Sequence, residues 1–245
     1  MRKLLFIVVL ASAILLPQMV VANTVITEGN GGTYNGYGPW QTGVGGEFTL
    51  LPDAYLSQFV NAYSSYTKNL VQTGTFQTFC LEGGEYIYPN TTHYVVINDK
   101  AMYGGDYPDG DPLSVGSAYL YDEFRKGTLA GYDYTNTTTA GRHKSAELLQ
   151  NAIWWLEGEE NQRYDGNNQY EVLVVDYFHG AEAAMADNND HYPIKVLNLY
   201  LDAQHSQYAQ DQLIYDPPPV PEPATMLLLG LGLLGTAGAR RKIQK

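Results

Sequence analysis

The C-terminal segment limits which part of this chain can fold into a globular domain. Residues 224–239 carry no charged side chain and are rich in Leu and Gly. The run has 16 residues, which is short of the roughly 20 that cross a bilayer core comfortably. Arg240, Arg241 and Lys242 follow it and favour the cytoplasmic side of a membrane. We therefore predict a short transmembrane helix over 224–239 and a basic cytoplasmic tail over 240–245, both outside the globular domain.

A short motif stands directly before this segment. Pro221, Glu222 and Pro223 form a Pro-Glu-Pro sequence that precedes the apolar run and its basic end. The three parts, in this order, resemble the PEP-CTERM sorting signal of Gram-negative bacteria. In that family an exosortase, a membrane protease-transpeptidase, cuts near the motif. The resemblance implies an exosortase as a partner, transient anchoring in the inner membrane, and a final location at the cell surface or in the extracellular matrix.

The N-terminus carries the features of an export signal. Arg2 and Lys3 precede an apolar run over residues 4–16, and small residues end at Ala22. This order predicts a signal peptide over 1–22 that signal peptidase removes after Ala22. The exported domain would then span residues 23–216, followed by a Pro-rich linker over 217–223 that should be extended and semi-rigid.

Charge and aromatic content describe the exported domain. The whole chain has 14 basic and 26 acidic residues, and residues 23–216 keep 8 and 25 of them, a net charge of −17. Such a domain should repel nucleic acid. The chain has 21 Tyr but only 7 Phe, a composition typical of β-rich secreted proteins. We predict an α+β fold that is mainly β, a β-sandwich or barrel with a helical subdomain.

Periodicity places the main elements of this domain. Residues 75–82 alternate as a strand, and residues 85–88 with 93–98 suggest a hairpin. Residues 117–126, 143–157 and 171–186 carry apolar stripes at helical spacing. The pattern predicts two strands at the end of the domain, over residues 195–201 and 211–216. A further segment, residues 58–70, fits either a helix or a strand.

Cys80 is the only cysteine of the chain. An exported protein passes through an oxidising compartment, so an unpaired thiol requires an explanation. Four explanations are open: a buried inert residue, an intermolecular disulfide, a catalytic nucleophile, or half of an internal cross-link. The five histidines are scattered and no protease-like sequence flanks Cys80, so we expect no enzyme.

The acidic turns lack the EF-hand pattern, and we expect no metal and no cofactor.

Two segments resemble a known family of cross-linked domains. The sequence Gln150-Asn151-Ala152-Ile153-Trp154 resembles the glutamine motif of the thioester domains of bacterial surface adhesins, and residues 78–82 around Cys80 resemble their cysteine motif. In those domains the cysteine sulfur and the glutamine side-chain carbonyl join, with loss of ammonia, into a thioester. Position 149 is Leu where that family often has Thr or Ser. The resemblance implies a Cys80–Gln150 cross-link within a β-sandwich or barrel that carries a helical insertion.

Spacing suggests which side chains surround this pair. Glu147 and Trp154 lie three and four residues from Gln150 and would share its helix face. Glu82 lies two residues from Cys80 along a strand, where it could polarise an attacking group or simply solvate the sheet edge.

These predictions are compatible with two alternative functions. In the first, the thioester is at most a single-turnover acyl donor to an amine or hydroxyl of a surface polysaccharide or protein, and the chain is an adhesin. In the second, no thioester forms, Cys80 is buried, and the chain is a non-covalent component of an exopolysaccharide or biofilm matrix.

Overall fold

The computed structural model describes residues 23–27, 38–42, 45–57, 75–102, 110–135, 139–159 and 162–216. The predicted signal peptide, the segment 58–70, the linker, the transmembrane helix over 224–239 and the basic tail lie outside these residues. Among the helices of the described part, none is long and apolar enough to cross a membrane.

A six-stranded antiparallel sheet forms one side of the domain. Its strand order is β10-β9-β6-β1-β4-β5. Two short two-stranded ladders, β2–β3 and β7–β8, stand beside it. The strands are β1 (Asn23–Thr27), β2 (Gln41–Thr42), β3 (Gly45–Gly46), β4 (Phe48–Pro52), β5 (Phe76–Thr78), β6 (Thr92–Asn98), β7 (Lys100–Ala101), β8 (Asp111–Pro112), β9 (Ile194–Tyr200) and β10 (Tyr208–Tyr215).

Helices lie between β8 and β9 in the chain. They are α1 (Val115–Lys126), α2 (Lys144–Leu156), α3 (Gln169–Phe178) and α4 (Ala181–Ala184), and a π-helical turn over Thr139–His143 leads into α2. Helix α2 contacts α1, α3 and the short strand β3. Its apolar stripe of Ala146, Leu149, Ile153 and Leu156 is buried, as the helical spacing predicts.

Local chemistry sets the ends of these helices. The Ser114 side chain accepts a hydrogen bond from the Ser117 backbone N–H and begins α1, and Gly127 ends it in a left-handed conformation. The helix predicted over 171–186 is instead two helices, because His179 has a φ of 61° and Gly180 a φ of 152°, values that break a right-handed helix.

The fold class is confirmed only in part. The described residues combine a sheet with helices, and the two kinds of element hold comparable numbers of residues, so the prediction of a mainly β domain is wrong in its proportions. The barrel is also wrong, because no continuous ladder joins β5 to β10 in this part of the chain; a single bridge joins Cys80 to Gln212. No second large sheet stands opposite the first among these residues. Residues 85–88 form no strand, so the predicted hairpin is wrong as well.

Candidate functional site

Cys80 lies just after β5 in a segment that is held by β10. The Leu213 N–H donates to the Phe79 carbonyl, and the Leu81 N–H donates to the Asp211 carbonyl, both at 3.1 Å. Cys80 itself has no solvent exposure. Because its neighbours on both sides are hydrogen-bonded to the same strand, the position of the Cys80 backbone is fixed.

Gln150 lies in the middle of α2 and is also buried, with 1% of its surface exposed. Burial of a polar amide is costly unless its hydrogen bonds are satisfied. Leu149 and Ile153 pack the adjacent helix surface into the core. Because the apolar stripe of α2 packs into the core, the Gln150 amide is also removed from water and lies against the sheet.

The structure brings Cys80 and Gln150 into contact. The Cys80 Sγ lies 3.3 Å from the Gln150 Oε1, within hydrogen-bond distance for sulfur. The Gln150 Nε2 donates to the Cys80 carbonyl at 2.8 Å. The amide is thus held at both ends by one residue, and its carbonyl lies beside the sulfur.

Two backbone donors converge on the same oxygen. The Cys80 N–H reaches the Gln150 Oε1 at 3.3 Å, and the Gly46 N–H reaches it at 3.4 Å. These contacts fix the orientation of the amide, because the reverse orientation would set an NH₂ group against two N–H donors. Two N–H groups aimed at one carbonyl oxygen form the arrangement that stabilises negative charge in acyl transfer.

Gly45 and Gly46 allow β3 to approach α2 this closely. A Cβ atom on Gly45 would lie 2.5 Å from the Gln150 Cγ and 2.7 Å from the Trp154 Cη2, distances that real Cβ atoms do not adopt. Gly46 has a φ of 114°, which a side chain would strain. The sequence did not predict a role for these two glycines, because they carry no side chain that would mark a site.

Trp154, four residues after Gln150, packs beside the pair. Its indole is 5% exposed and lies against Gly45 of β3 and near Gly83 of the loop after Cys80. Phe76 and Phe79 are buried in the same core. These rings exclude water from the amide and the thiol.

Glu147, the other residue expected on the Gln150 face, is half-exposed. Its side chain is 46% exposed and pairs with Lys144 at 3.1 Å, on the solvent side of α2. Residues three apart in a helix share a broad face. The charged Glu147 side chain lies at the edge of that face that water reaches.

Of the two roles open to Glu82, solvation of a sheet edge is wrong, because the side chain is buried. Glu82 is 1% exposed, and its Oε2 accepts the Asp211 N–H at 3.0 Å. Burial raises the pKa of Glu82 well above its ordinary value, and the charges of Asp211 and Glu85 raise it further. The position of Glu82 beside Cys80 in sequence gave no sign of this burial.

Asp211 is the partner that keeps its charge. It accepts hydrogen bonds from the Met102 N–H, the Asn198 Nδ2 and the Leu199 N–H. Burial raises the pKa of Asp211 to about 6, and these hydrogen bonds oppose the rise. Two adjacent carboxyl groups do not both ionise readily, so Asp211, which accepts three hydrogen bonds, ionises and Glu82 stays protonated.

The Cys80 thiol is protonated as well. Burial raises the pKa of Cys80 well above its ordinary value, an ionised Glu82 would raise it further, and the Trp154 side chain opposes the rise. A neutral S–H group is poorly reactive toward solutes in water. The site therefore presents a thiol beside an amide carbonyl, with no charged nucleophile exposed.

No metal site is found in the described ranges, where no group of three or more His, Cys, Asp or Glu side chains is arranged to hold an ion.

Comparison with known proteins identifies the C-terminal sorting signal. Residues 219–242 match the family model of the PEP-CTERM protein-sorting motif. The matched range contains Pro221, Glu222 and Pro223 and the basic residues Arg240, Arg241 and Lys242. No curated protein and no solved structure was found to match the chain. The match confirms the predicted sorting signal, and the chain carries the C-terminal motif of exported proteins that an exosortase processes in the membrane.

Proposed function

We propose that this chain is an exosortase-sorted surface or matrix protein that attaches covalently to its target through a thioester between Cys80 and Gln150. The target supplies an amine or a hydroxyl group of a surface polysaccharide or protein. The protein then acts as an adhesin at the cell surface or in the extracellular matrix, and each molecule reacts once.

One observation carries this proposal. The Cys80 Sγ lies 3.3 Å from the Gln150 Oε1, and that oxygen also receives the Cys80 and Gly46 N–H groups. This contact places the sulfur beside the amide group whose carbonyl carbon it would attack. The two N–H donors on Oε1 lie where they would stabilise negative charge on this oxygen during acyl transfer.

The bond changes balance without an oxidant. The Cys80 Sγ bonds to the Gln150 carbonyl carbon, and negative charge develops on Oε1 between the two N–H donors. The C–N bond of the amide then breaks, and the nitrogen leaves as ammonia with the proton of the thiol. When a target amine attacks the same carbon, the C–S bond breaks, an amide joins target and Gln150, and the Cys80 thiol regains a proton.

Burial preserves the intermediate until it meets its target. Water hydrolyses an exposed thioester, so the acyl group has to be kept dry. Cys80, Gln150 and Trp154 are each at most 5% exposed. Trp154 lies between β3 and the Gly83 loop, and movement of this ring or loop would admit the target.

The alternative is a matrix protein with no thioester. The same contacts then act as hydrogen bonds, with the Cys80 S–H donating to the Gln150 Oε1 and joining the loop after β5 to α2. This alternative predicts an intact thiol and an intact amide.

Intact-mass spectrometry of the protein purified from producing cells separates the two. The wild type should be lighter than its sequence by one ammonia, relative to Gln150→Ala and Cys80→Ala variants that share the same processed ends. Incubation with methylamine should add one methylamine to the wild type alone and release one titratable thiol. A wild type with full mass and a thiol that titrates after denaturation without amine would reject the thioester and leave the non-covalent alternative.

A further inference from the structure

A buried ion pair lies beside the candidate site but does not touch the reacting atoms. The Arg142 Nε donates to the Glu47 Oε1 at 2.7 Å, and the Arg142 Nη2 donates to the Glu47 Oε2 at 2.8 Å. Neither side chain has any solvent exposure. This is the two-pronged geometry in which a guanidinium fixes a carboxylate both in position and in orientation.

The remaining polar atoms of the pair are also bonded. The Tyr132 hydroxyl donates to the Glu47 Oε1, and the Arg142 Nη1 donates to the Tyr134 carbonyl at 3.2 Å. The guanidinium lies 5.0 Å from the centre of the Trp40 ring. Burial lowers the pKa of Arg142, but the Glu47 charge and hydrogen bonds more than offset this and raise it overall. The pair is therefore charged and rigidly held.

The two residues stand at the ends of the elements that build the site. Glu47 is the single residue between β3 and β4, and it directly follows Gly46, whose N–H meets the Gln150 Oε1. Arg142 lies in the turn that leads into α2, eight residues before Gln150, about two helical turns. The ion pair thus joins the strand that supplies a donor to the helix that supplies the acceptor.

Stability alone does not explain a buried ion pair. Taking two charges out of water costs about as much as their attraction returns, and apolar pairs of similar volume often replace them at no loss. A positioning role explains the pair better, because the pair can fix how β3 and α2 lie relative to each other at the candidate site.

We propose that Glu47 and Arg142 are positioning residues that hold the Gly46 N–H against the Gln150 Oε1, and so complete the pair of donors that stabilises charge when the thioester forms and opens. This inference rests on the proposed function. Loss of the pair leaves the Cys80 N–H as the remaining backbone donor on this oxygen.

The test replaces the pair with apolar side chains, as Glu47→Leu with Arg142→Met, in the full chain. The matched control is Asp122→Leu with Arg125→Met, which removes another buried ion pair, within α1. Arg142→Lys is a second test variant, since it keeps the positive charge but cannot form both hydrogen bonds to the Glu47 carboxylate. Circular dichroism and a thermal melt identify which variants are folded.

Three quantities are then measured on the folded variants: the rate of ammonia loss, the rate of methylamine opening, and the carbonyl stretching frequency of the thioester by isotope-edited infrared spectroscopy. We expect both rates to fall by about tenfold to a hundredfold, because one donor to a developing oxyanion is worth roughly that or more. The carbonyl frequency should rise, because a hydrogen bond to the carbonyl lowers it. A residue with a purely structural role changes the melting temperature and leaves these three quantities alone.

Two results overturn the inference in distinguishable ways. If the wild type contains the thioester and the folded test variants match the control in both rates and in carbonyl frequency, the positioning role is rejected and the proposed function stands. If the wild type contains no thioester, the proposed function is rejected, and the positioning role is rejected with it.

Discussion

Glu82 accepts a hydrogen bond from the Asp211 backbone N–H at 3.0 Å, which places two buried carboxyl groups side by side behind Cys80. Both have a raised pKa, mainly because burial disfavours the charged forms. The folded state therefore binds more protons than the unfolded state in the range where these groups titrate. Under linkage, the free energy of unfolding then falls as the pH rises.

The first prediction concerns this dependence on pH. For Asp211 the fall should begin near the ordinary carboxyl pKa of about 4 and continue through its folded value of about 6, and Glu82 should extend the fall to higher pH. Glu82→Gln should flatten the curve and raise stability at pH 8, because the amide keeps an acceptor for the Asp211 N–H and carries no charge. Urea unfolding between pH 4 and pH 8 measures both effects. An unchanged slope in Glu82→Gln would show that this carboxyl is not buried in protonated form.

The second prediction concerns Gly45. A Cβ at this position meets Gln150 and Trp154 at less than 3 Å, so Gly45→Ala should lower the free energy of unfolding by about 1 to 3 kcal/mol. It should also slow the loss of ammonia, since β3 has to move away from the amide. The matched control is Gly84→Ala, because a Cβ there meets nothing within 4 Å. The control should stay within about 0.5 kcal/mol of the wild type, and equal effects of the two variants would contradict the close approach of β3 to α2.

The third prediction concerns the energetics of the Glu47–Arg142 pair. Arg142→Met alone leaves a buried carboxylate without its cation and should cost about 3 to 5 kcal/mol. The double variant Glu47→Leu with Arg142→Met should cost much less than the sum of its single variants, because no unpaired charge remains buried. A double-mutant cycle from urea unfolding measures this coupling. Additive single effects would mean that the two side chains act independently.

The fourth prediction concerns the sorting motif. Replacing Pro221, Glu222 and Pro223 with Ala should block exosortase processing, because these residues lie in the matched sorting signal. The unprocessed chain should accumulate in the membrane fraction with its C-terminal peptide intact, which immunoblotting and mass spectrometry of that fraction can detect. Replacement of Pro217 and Pro218, which lie just before the matched range, serves as the control and should leave processing in place. Normal release of the triple Ala variant would contradict the role of the motif.

Short-range patterns were enough to place the C-terminal sorting signal and several helices and strands. The apolar stripe of α2 depends on neighbours within one or two helical turns, which is the range that sequence periodicity reports. The split between α3 and α4 was missed because His179 adopts a left-handed conformation that a non-glycine residue rarely takes.

The sequence by itself determined that this chain is addressed for export, since the sorting signal is read as a linear segment, and it singled out Cys80 and Gln150. Only the tertiary structure decided that these two residues, separated by 70 positions, meet at 3.3 Å, and that Gly46, Asp211 and the Glu47–Arg142 pair surround them. The physical reason is that burial and hydrogen bonding between distant segments depend on how the sheet and α2 pack. A carboxylate such as Glu82 looks the same in the sequence whether it faces water or, as here, another carboxyl group in the core.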